Sequence, residues 1–259
     1  MKKIILFILV CVMISKTYAQ EEKICGKIEY TYTTNLDYVY YEKYNLYFNK
    51  NFSYSEEIDI KKENNKKSHE DKPKGTQVNI IVGRKNTTSK YYYNSIKSFY
   101  FRDNFFDEII LVKEEKTKNS WILHSETKKL SNFLCKKATI RFRGRNYIAW
   151  YSEEIPVPFG PWKLRNLPGM ILELYDTDKV FHAVANHIKL GSNNCFFKFD
   201  EKELEKAISL DAYLNKKEKL IDNMFAEMSA RRPKGSKPLK RDKNCDDCNN
   251  DIEIFDDKD

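Results

Sequence analysis

The chain has 259 residues and a formal charge of +8, with lysines and acids interleaved throughout. No basic face carries a nucleic-acid reading motif, which excludes a nucleic-acid binder. The length fits one domain large enough for its own core, and 14% aromatics, dominated by Tyr and Phe, favour strands.

Lys2 and Lys3 precede an apolar run over residues 4–14, and Thr17-Tyr18-Ala19 follows, with small residues where a signal peptidase reads. The run falls short of the about 20 apolar residues that cross a bilayer. Residues 1–19 are therefore expected to be a signal peptide, leaving Gln20 first. Removing Lys2, Lys3 and Lys16 lowers the formal charge from +8 to +5. Cys11 lies mid-run after Val10, where lipid attachment would want a small residue. No later segment is long and apolar enough to span a membrane, so the mature chain is expected in the periplasm or at the outer membrane.

Short alternating segments follow. Residues 27–34 alternate with Ile28, Tyr30 and Tyr32 on one side, and residues 44–54 repeat the pattern through Leu46, Phe48, Phe52 and Tyr54. Polar runs flank a strand-like stretch at 77–82. Residues 91–102, 108–114 and 120–125 are further strand candidates. Residues 127–134 lead into 135–143, where Ala138, Ile140 and Phe142 face one way. Gly144-Arg145-Asn146 predicts a tight turn, with 147–151 returning. Residues 170–175 and 180–190 predict a hairpin around 176–179. Such spacing points to an antiparallel sheet.

A helix comes late. Asp200 and Glu203 resemble a capping box, Asp211 offers a restart, and Ile221, Met224, Phe225 and Met228 fall at i, i+3, i+4 and i+7, a stripe that suits packing on the sheet. Beyond Ala230, a block with seven basic residues gives way at Asn244 to one with seven acids. Opposed charge blocks favour solvation. The predicted organisation is a β-rich domain over 20–230 and a charged, disordered tail over 231–259 outside it. The fold class is mainly β, a curved antiparallel sheet of half-barrel type with a late amphipathic helix packed on it.

Five cysteines remain after residue 19: Cys25, Cys135, Cys195, Cys245 and Cys248. The odd number leaves at least one thiol. Cys245 and Cys248 form a CxxC in acidic surroundings, which suits a local disulfide or reducible pair, or, with Asp246 and Asp247, a copper or zinc site.

From Trp121 onward, Cys135-Lys-Lys-Ala138, Gly144-Arg145, Ala149-Trp150-Tyr151, Ile155-Pro156, Gly160-Pro161-Trp162-Lys163 and Asn166-Leu167-Pro168-Gly169-Met170-Ile171 occur in order. This run of some 55 residues resembles the GLPGLI family of exported Bacteroidota proteins. Asn166 replaces the first glycine of the signature and Met170 its second leucine. The resemblance implies an envelope β-protein of Gram-negative bacteria, sometimes encoded near outer-membrane transport components, and brings no catalytic residues with it.

Direct chemistry is sparse. Cys135 as a hydrolytic nucleophile would need His124, His182 or His187 and an acid such as Glu153 or Glu154, and nothing in their spacing requires proximity. There is no HExxH, phosphate loop or dinucleotide fingerprint. The expectation is a non-enzymatic protein that binds an apolar ligand such as a lipid, or an outer-membrane transport partner, with a tail metal site as the alternative. In a half-barrel, Trp162 and Leu167 would form a lid over an apolar groove with Trp150 beneath. Pro161 and Pro168 cannot lie inside a central strand. Pro168-Gly169 predicts a type II turn with Gly169 at positive φ, and substitutions of Lys163 or Arg165 are expected to be silent for folding.

Overall fold

The computed structural model describes residues 24–36, 39–58, 90–95, 98–105, 108–115, 120–191, 200–237, 239 and 252–255. Within them are β1 (Cys25–Asn35), β2 (Val39–Asn49), β3 (Phe52–Ile58), β4 (Tyr91–Ser95), β5 (Phe99–Phe105), β6 (Glu108–Glu114), β7 (Ile122–Leu130), β8 (Phe133–Phe142), β9 (Arg145–Ser152), β10 (Met170–Asp176), β11 (Phe181–Leu190), β12 (Ile208–Ser209) and the helix α1 (Leu210–Ala230). All twelve strands join one sheet, ordered β12-β6-β5-β4-β3-β2-β1-β11-β10-β9-β8-β7. Every pairing is antiparallel except β12 with β6. The protein is mostly β, an open curved sheet with one C-terminal helix on it.

Alternation builds the inner face as the sequence predicts. Ile28, Tyr30 and Tyr32 of β1 are buried beside Tyr44, Leu46 and Phe48 of β2, with Tyr30 opposite Tyr44 and Ile28 opposite Leu46. Tyr32 stacks on Tyr44 at 4.3 Å. Two expected single strands are each two. Residues 44–54 break where Asn49 Oδ1 accepts the Asn51 and Phe52 amides, at 2.8 and 3.1 Å, because an Asx turn competes with the ladder. Residues 91–102 break at Ser95, whose Oγ accepts the Ser98 amide at 3.0 Å. The segment 77–82 lies outside the described residues.

The β8–β9 hairpin turns on Arg143 and Gly144, with φ of 47° and 72°, the double left-handed conformation of a tight hairpin turn that favours glycine. On β10–β11, the buried Asp176 carboxylate accepts the Phe181 amide at 2.6 Å and the Asp178 amide at 3.2 Å, which closes the turn.

The curl of the sheet follows from one contact. Strands β6 and β8 are nine steps apart in the order, about 43 Å in a flat sheet at about 4.8 Å per step. Yet Arg143, at the end of β8, meets Glu114, at the end of β6, at 2.9 Å. The sheet therefore wraps until its two flanks touch through side chains, while its edge strands β12 and β7 stay unpaired with one another.

Asp200 caps a short 3-10 helix, Glu201–Lys206, through the Lys202 amide, and Ser209 caps α1 through the Ala212 amide. The helix meets the sheet through its early turns: Tyr213 is buried, with Leu210, Leu214 and Leu220 packed beside Phe99, Phe101, Ile110 and Val112. Tyr213 Oη donates to Asp103 at 2.7 Å. The expected stripe, Ile221, Met224, Phe225 and Met228, is only half-buried, so the period is right and the contact lies two turns earlier. No helix among the described residues is long and apolar enough to cross a membrane. Tyr213→Ala should cost about 3–5 kcal/mol in urea unfolding, as large core truncations do; Met228→Ala should stay within about 1 kcal/mol.

Candidate functional site

The connection between β9 and β10, residues 153–169, fills the concave face. Ile155, Val157 and Phe159 alternate inward with Pro156 and Pro158 outward. The segment folds back on itself: the Asn166 amide donates to Pro158 O at 3.0 Å, Met170 to Ile155 O at 2.9 Å and Ile171 to Phe159 O at 3.0 Å. Its turn is tied to β1 from two sides. Tyr30 Oη donates to Ile171 O at 2.6 Å, and the Trp162 amide donates to Tyr32 Oη at 2.7 Å. Burial raises both phenols above their ordinary range, which keeps Tyr30 protonated as a donor.

Trp162 is the centre of the filling. Its ring lies 5.8 Å from Phe142, 5.7 Å from Tyr147 and 5.2 Å from Phe181, separations typical of paired aromatic rings. Leu164 and Leu167 are buried beside it. Gly160 and Pro161 are buried, with Gly160 against Ile171, and Pro168 is exposed. Trp150 does not join them. It is out of phase with Tyr147, Ala149 and Tyr151 on β9, so it lies on the opposite face, half-buried under Lys128 Nζ at 4.4 Å from its ring centroid. Lys128 and His182 both engage Glu173 there. The expected lid of Trp162 and Leu167 is thus interior filling, and Trp150 is not beneath it.

Gly169 needs space, not a positive φ, and the type II reading is corrected accordingly. Positive φ among the described glycines falls at Gly144, Gly191 and Gly235. A Cβ on Gly169 would lie 2.1 Å from Ser152 O and 2.5 Å from its carbonyl carbon. Asn166 takes the left-handed backbone at φ 71°.

Lys163 and Arg165 are buried, at 6% and 4% exposure, against the expectation that their loss is silent. Arg165 Nη1 donates to Asn94 Oδ1 of β4 at 2.8 Å, its guanidinium lies over Phe99, and its carbonyl accepts Trp121 Nε1 at 2.7 Å. Lys163 Nζ lies 3.8 Å from the Phe101 ring centroid. It pairs with Glu253 at 2.7 Å and with Glu114 at 3.5 Å. With Arg143, which pairs with Glu114 at 2.9 Å and Glu253 at 3.7 Å, these side chains form a neutral quartet of two cations and two anions.

The fourth member comes from the tail. The expectation that all of 231–259 lies outside the domain is corrected at 252–255. Ile254 donates its amide to Arg143 O at 3.1 Å and packs on Gly144. Arg145 Nε donates to Ile252 O at 3.1 Å, and Phe255 lies over the Arg143 guanidinium at 4.4 Å. Arg145 also pairs with Asp176 and Asp178, at 3.7 and 3.4 Å. Burial pushes the Glu253 carboxyl above the usual range, with Lys163 opposing. The signal for this docking was present in the sequence: Ile252, Ile254 and Phe255 are the apolar residues of an acidic block.

The catalytic alternatives find no assembly among the described residues. Cys135 is a free, buried thiol, pushed up to about 11 by burial, with Lys128 opposing. Its thiol faces Phe133 O at 3.8 Å. His124 pairs with Thr139 at 2.8 Å and His182 with Glu173 at 3.1 Å. Cys25 is disulfide-bonded, to a partner outside the described residues. Cys245 and Cys248 also lie outside them, and among the described residues no three His, Cys, Asp or Glu side chains gather as a metal site.

No protein-family model and no curated protein matches the chain. Among solved structures, PNGF-II in one crystal form is similar at TM-score 0.45 and 17% identity, covering 71% of this chain and 30% of that one. A second crystal form of the same protein gives TM-score 0.45 and 16% identity over 73% and 32%. An uncharacterised conserved protein from Thermus thermophilus gives TM-score 0.35 and 7% identity over 71% and 90%. The chain spans about a third of the PNGF-II length, and none of these likenesses carries a function.

Two measurements check the site. Lys163→Ala leaves Glu253 and Glu114 short of a buried cation, so it should cost about 3–5 kcal/mol; Gly169→Val must displace the Ser152 backbone and should cost at least about 1–3 kcal/mol. Thermal melts read both. At pH 8, below the Cys135 value of about 11, a thiol reagent should count the same thiols in the native protein and in native Cys135→Ala, and one more in the denatured wild type than in denatured Cys135→Ala.

Proposed function

We propose that this chain is an exported, non-enzymatic envelope protein of the GLPGLI type that acts by docking on an outer-membrane protein. The carrying observation is the connection 153–169, whose side chains occupy the concave face where a carrier of the half-barrel kind would hold an acyl chain. That occupancy favours a protein partner over an enclosed apolar ligand. Export is supported by the Lys-apolar-Ala19 pattern of the N-terminus and by a disulfide at Cys25, since such bonds persist in oxidising compartments. A non-enzymatic role is supported by the buried, protonated state of Cys135 and by the pairing of His124 and His182 with other groups.

Docking has an exposed apolar place to use. Ile122 and Leu123, at 63% and 56% exposure, stand on the edge strand β7. Unpaired edges that carry apolar side chains are sites of association. Native mass spectrometry of the protein taken from its own envelope should give the bare chain beginning at Gln20; a retained lipid mass would turn the reading to a carrier. Photo-crosslinkers at Ile122 and Leu123 should capture an outer-membrane protein, and capture of none would sink the docking reading.

A further inference from the structure

The notch at the β8–β9 turn has its own demand for an anion. Lys163 and Arg143 are 6% and 7% exposed, and the domain itself sets Glu114 between them. Two buried cations against one anion leave an uncompensated charge, which is strongly unfavourable. Glu253 supplies the second anion, and it arrives on a segment that is not part of the sheet: its backbone bond to the turn is the Ile254 amide to Arg143 O. Recognition rests on side chains. Ile252 packs on the main core, Ile254 covers the bare face of Gly144, and Phe255 lies on the Arg143 guanidinium.

The resident segment also fits imperfectly. Arg143 Nε, Glu114 Oε2 and Glu253 Oε1 are buried without a hydrogen-bond partner, because their ion pairs stand at 3.5–3.7 Å, beyond good hydrogen-bond length. Phe255 is 36% exposed at the rim. We propose that Arg143, Gly144, Arg145 and Lys163 form a recognition site for a peptide of the pattern apolar–Glu–apolar–aromatic, which residues 252–255 fill in cis and which the same pattern on another chain can fill in their place. Residues 252–255 belong to the same chain as the site they fill, so the segment is a ligand supplied in cis. An incoming peptide must outcompete a ligand that is always present on the same chain.

The test uses the full chain and a labelled synthetic peptide of residues 249–259. Glu253→Lys in the protein places a third cation in the notch and releases the tail. The peptide should then bind one to one, at least tenfold more tightly than it binds the wild-type chain. A peptide carrying Glu253→Lys should bind at least tenfold more weakly than its parent. Absence of binding to a folded Glu253→Lys chain, or equal binding of the two peptides, overturns the site. If the variant does not fold, the wild-type chain decides: excess parent peptide should speed hydrogen exchange at the Ile254 amide, and an unchanged rate overturns exchange in trans. None of these readouts depends on where the protein resides.

Discussion

The contact between Arg143 and Glu114 is the constraint on which the rest of the structure depends. It joins the two flanks of a sheet that has no ladder between its edges. Closure of a barrel by hydrogen bonds fixes strand tilt and register together. Here closure is by side chains at the strand ends, and the space inside is set by what lies between them. Lys163 reaches the same Glu114 from the inner connection, so the charge that closes the sheet also locates its filling. What the charges add is address more than strength, because buried ion pairs are often matched by apolar packing of the same volume. An apolar contact at the same place would tolerate sliding, whereas a carboxylate shared by a guanidinium and an ammonium specifies which residue of the connection meets which strand.

The filling explains the aromatic composition. A connection of seventeen residues, 153–169, meets Tyr32 on β1, Phe142 at the end of β8, Tyr147 on β9, Phe181 on β11 and the ring faces of Phe99 and Phe101 on β5. Large flat side chains bury much area for few rotatable bonds, and their faces accept the cations that the connection carries inward. The tyrosines add a second service: Tyr30 and Tyr32 reach backbone groups of the connection that no strand is placed to satisfy.

Much of the sheet was legible because its cause is local. Alternation over 27–34 is enough to place a strand, since one face is buried more deeply than the other, and the short apolar runs within 108–114 and 170–175 mark strands covered on both faces. The breaks at Asn49 and Ser95 were not legible, because an Asx or Ser turn needs only one side chain and leaves no periodic trace. The helix stripe was legible as a period, but the turn that meets the sheet depends on where Tyr213 finds Phe101 and Asp103. The candidate site was least legible. Lys163 and Arg165 read as surface charges because a buried cation is recognisable only through its partners, and Lys163 finds Glu253 90 residues away. Gly169 stood out as a glycine, yet the reason for it is a neighbouring backbone at Ser152, which no turn signature encodes.

Trp162 shows why the connection is best understood as structure held under strain. Its φ of 56° is left-handed, a conformation that costs a residue with a Cβ about 1–2 kcal/mol and is uncommon for a bulky side chain. Glycine would remove that cost and also the ring that touches Phe142, Tyr147 and Phe181. The packing of a buried indole outweighs the strain several-fold, since removing such a side chain costs about 3–5 kcal/mol. The left-handed turn also aims the Trp162 amide at Tyr32. Asn166, with φ 71°, completes the reversal that returns the chain to β10. Backbone strain often marks a reacting centre, but here Trp162 is buried among aromatic rings and its neighbour Lys163 is held in ion pairs with Glu114 and Glu253. The strain is part of how seventeen residues turn twice inside a space that the Arg143–Glu114 contact has already closed.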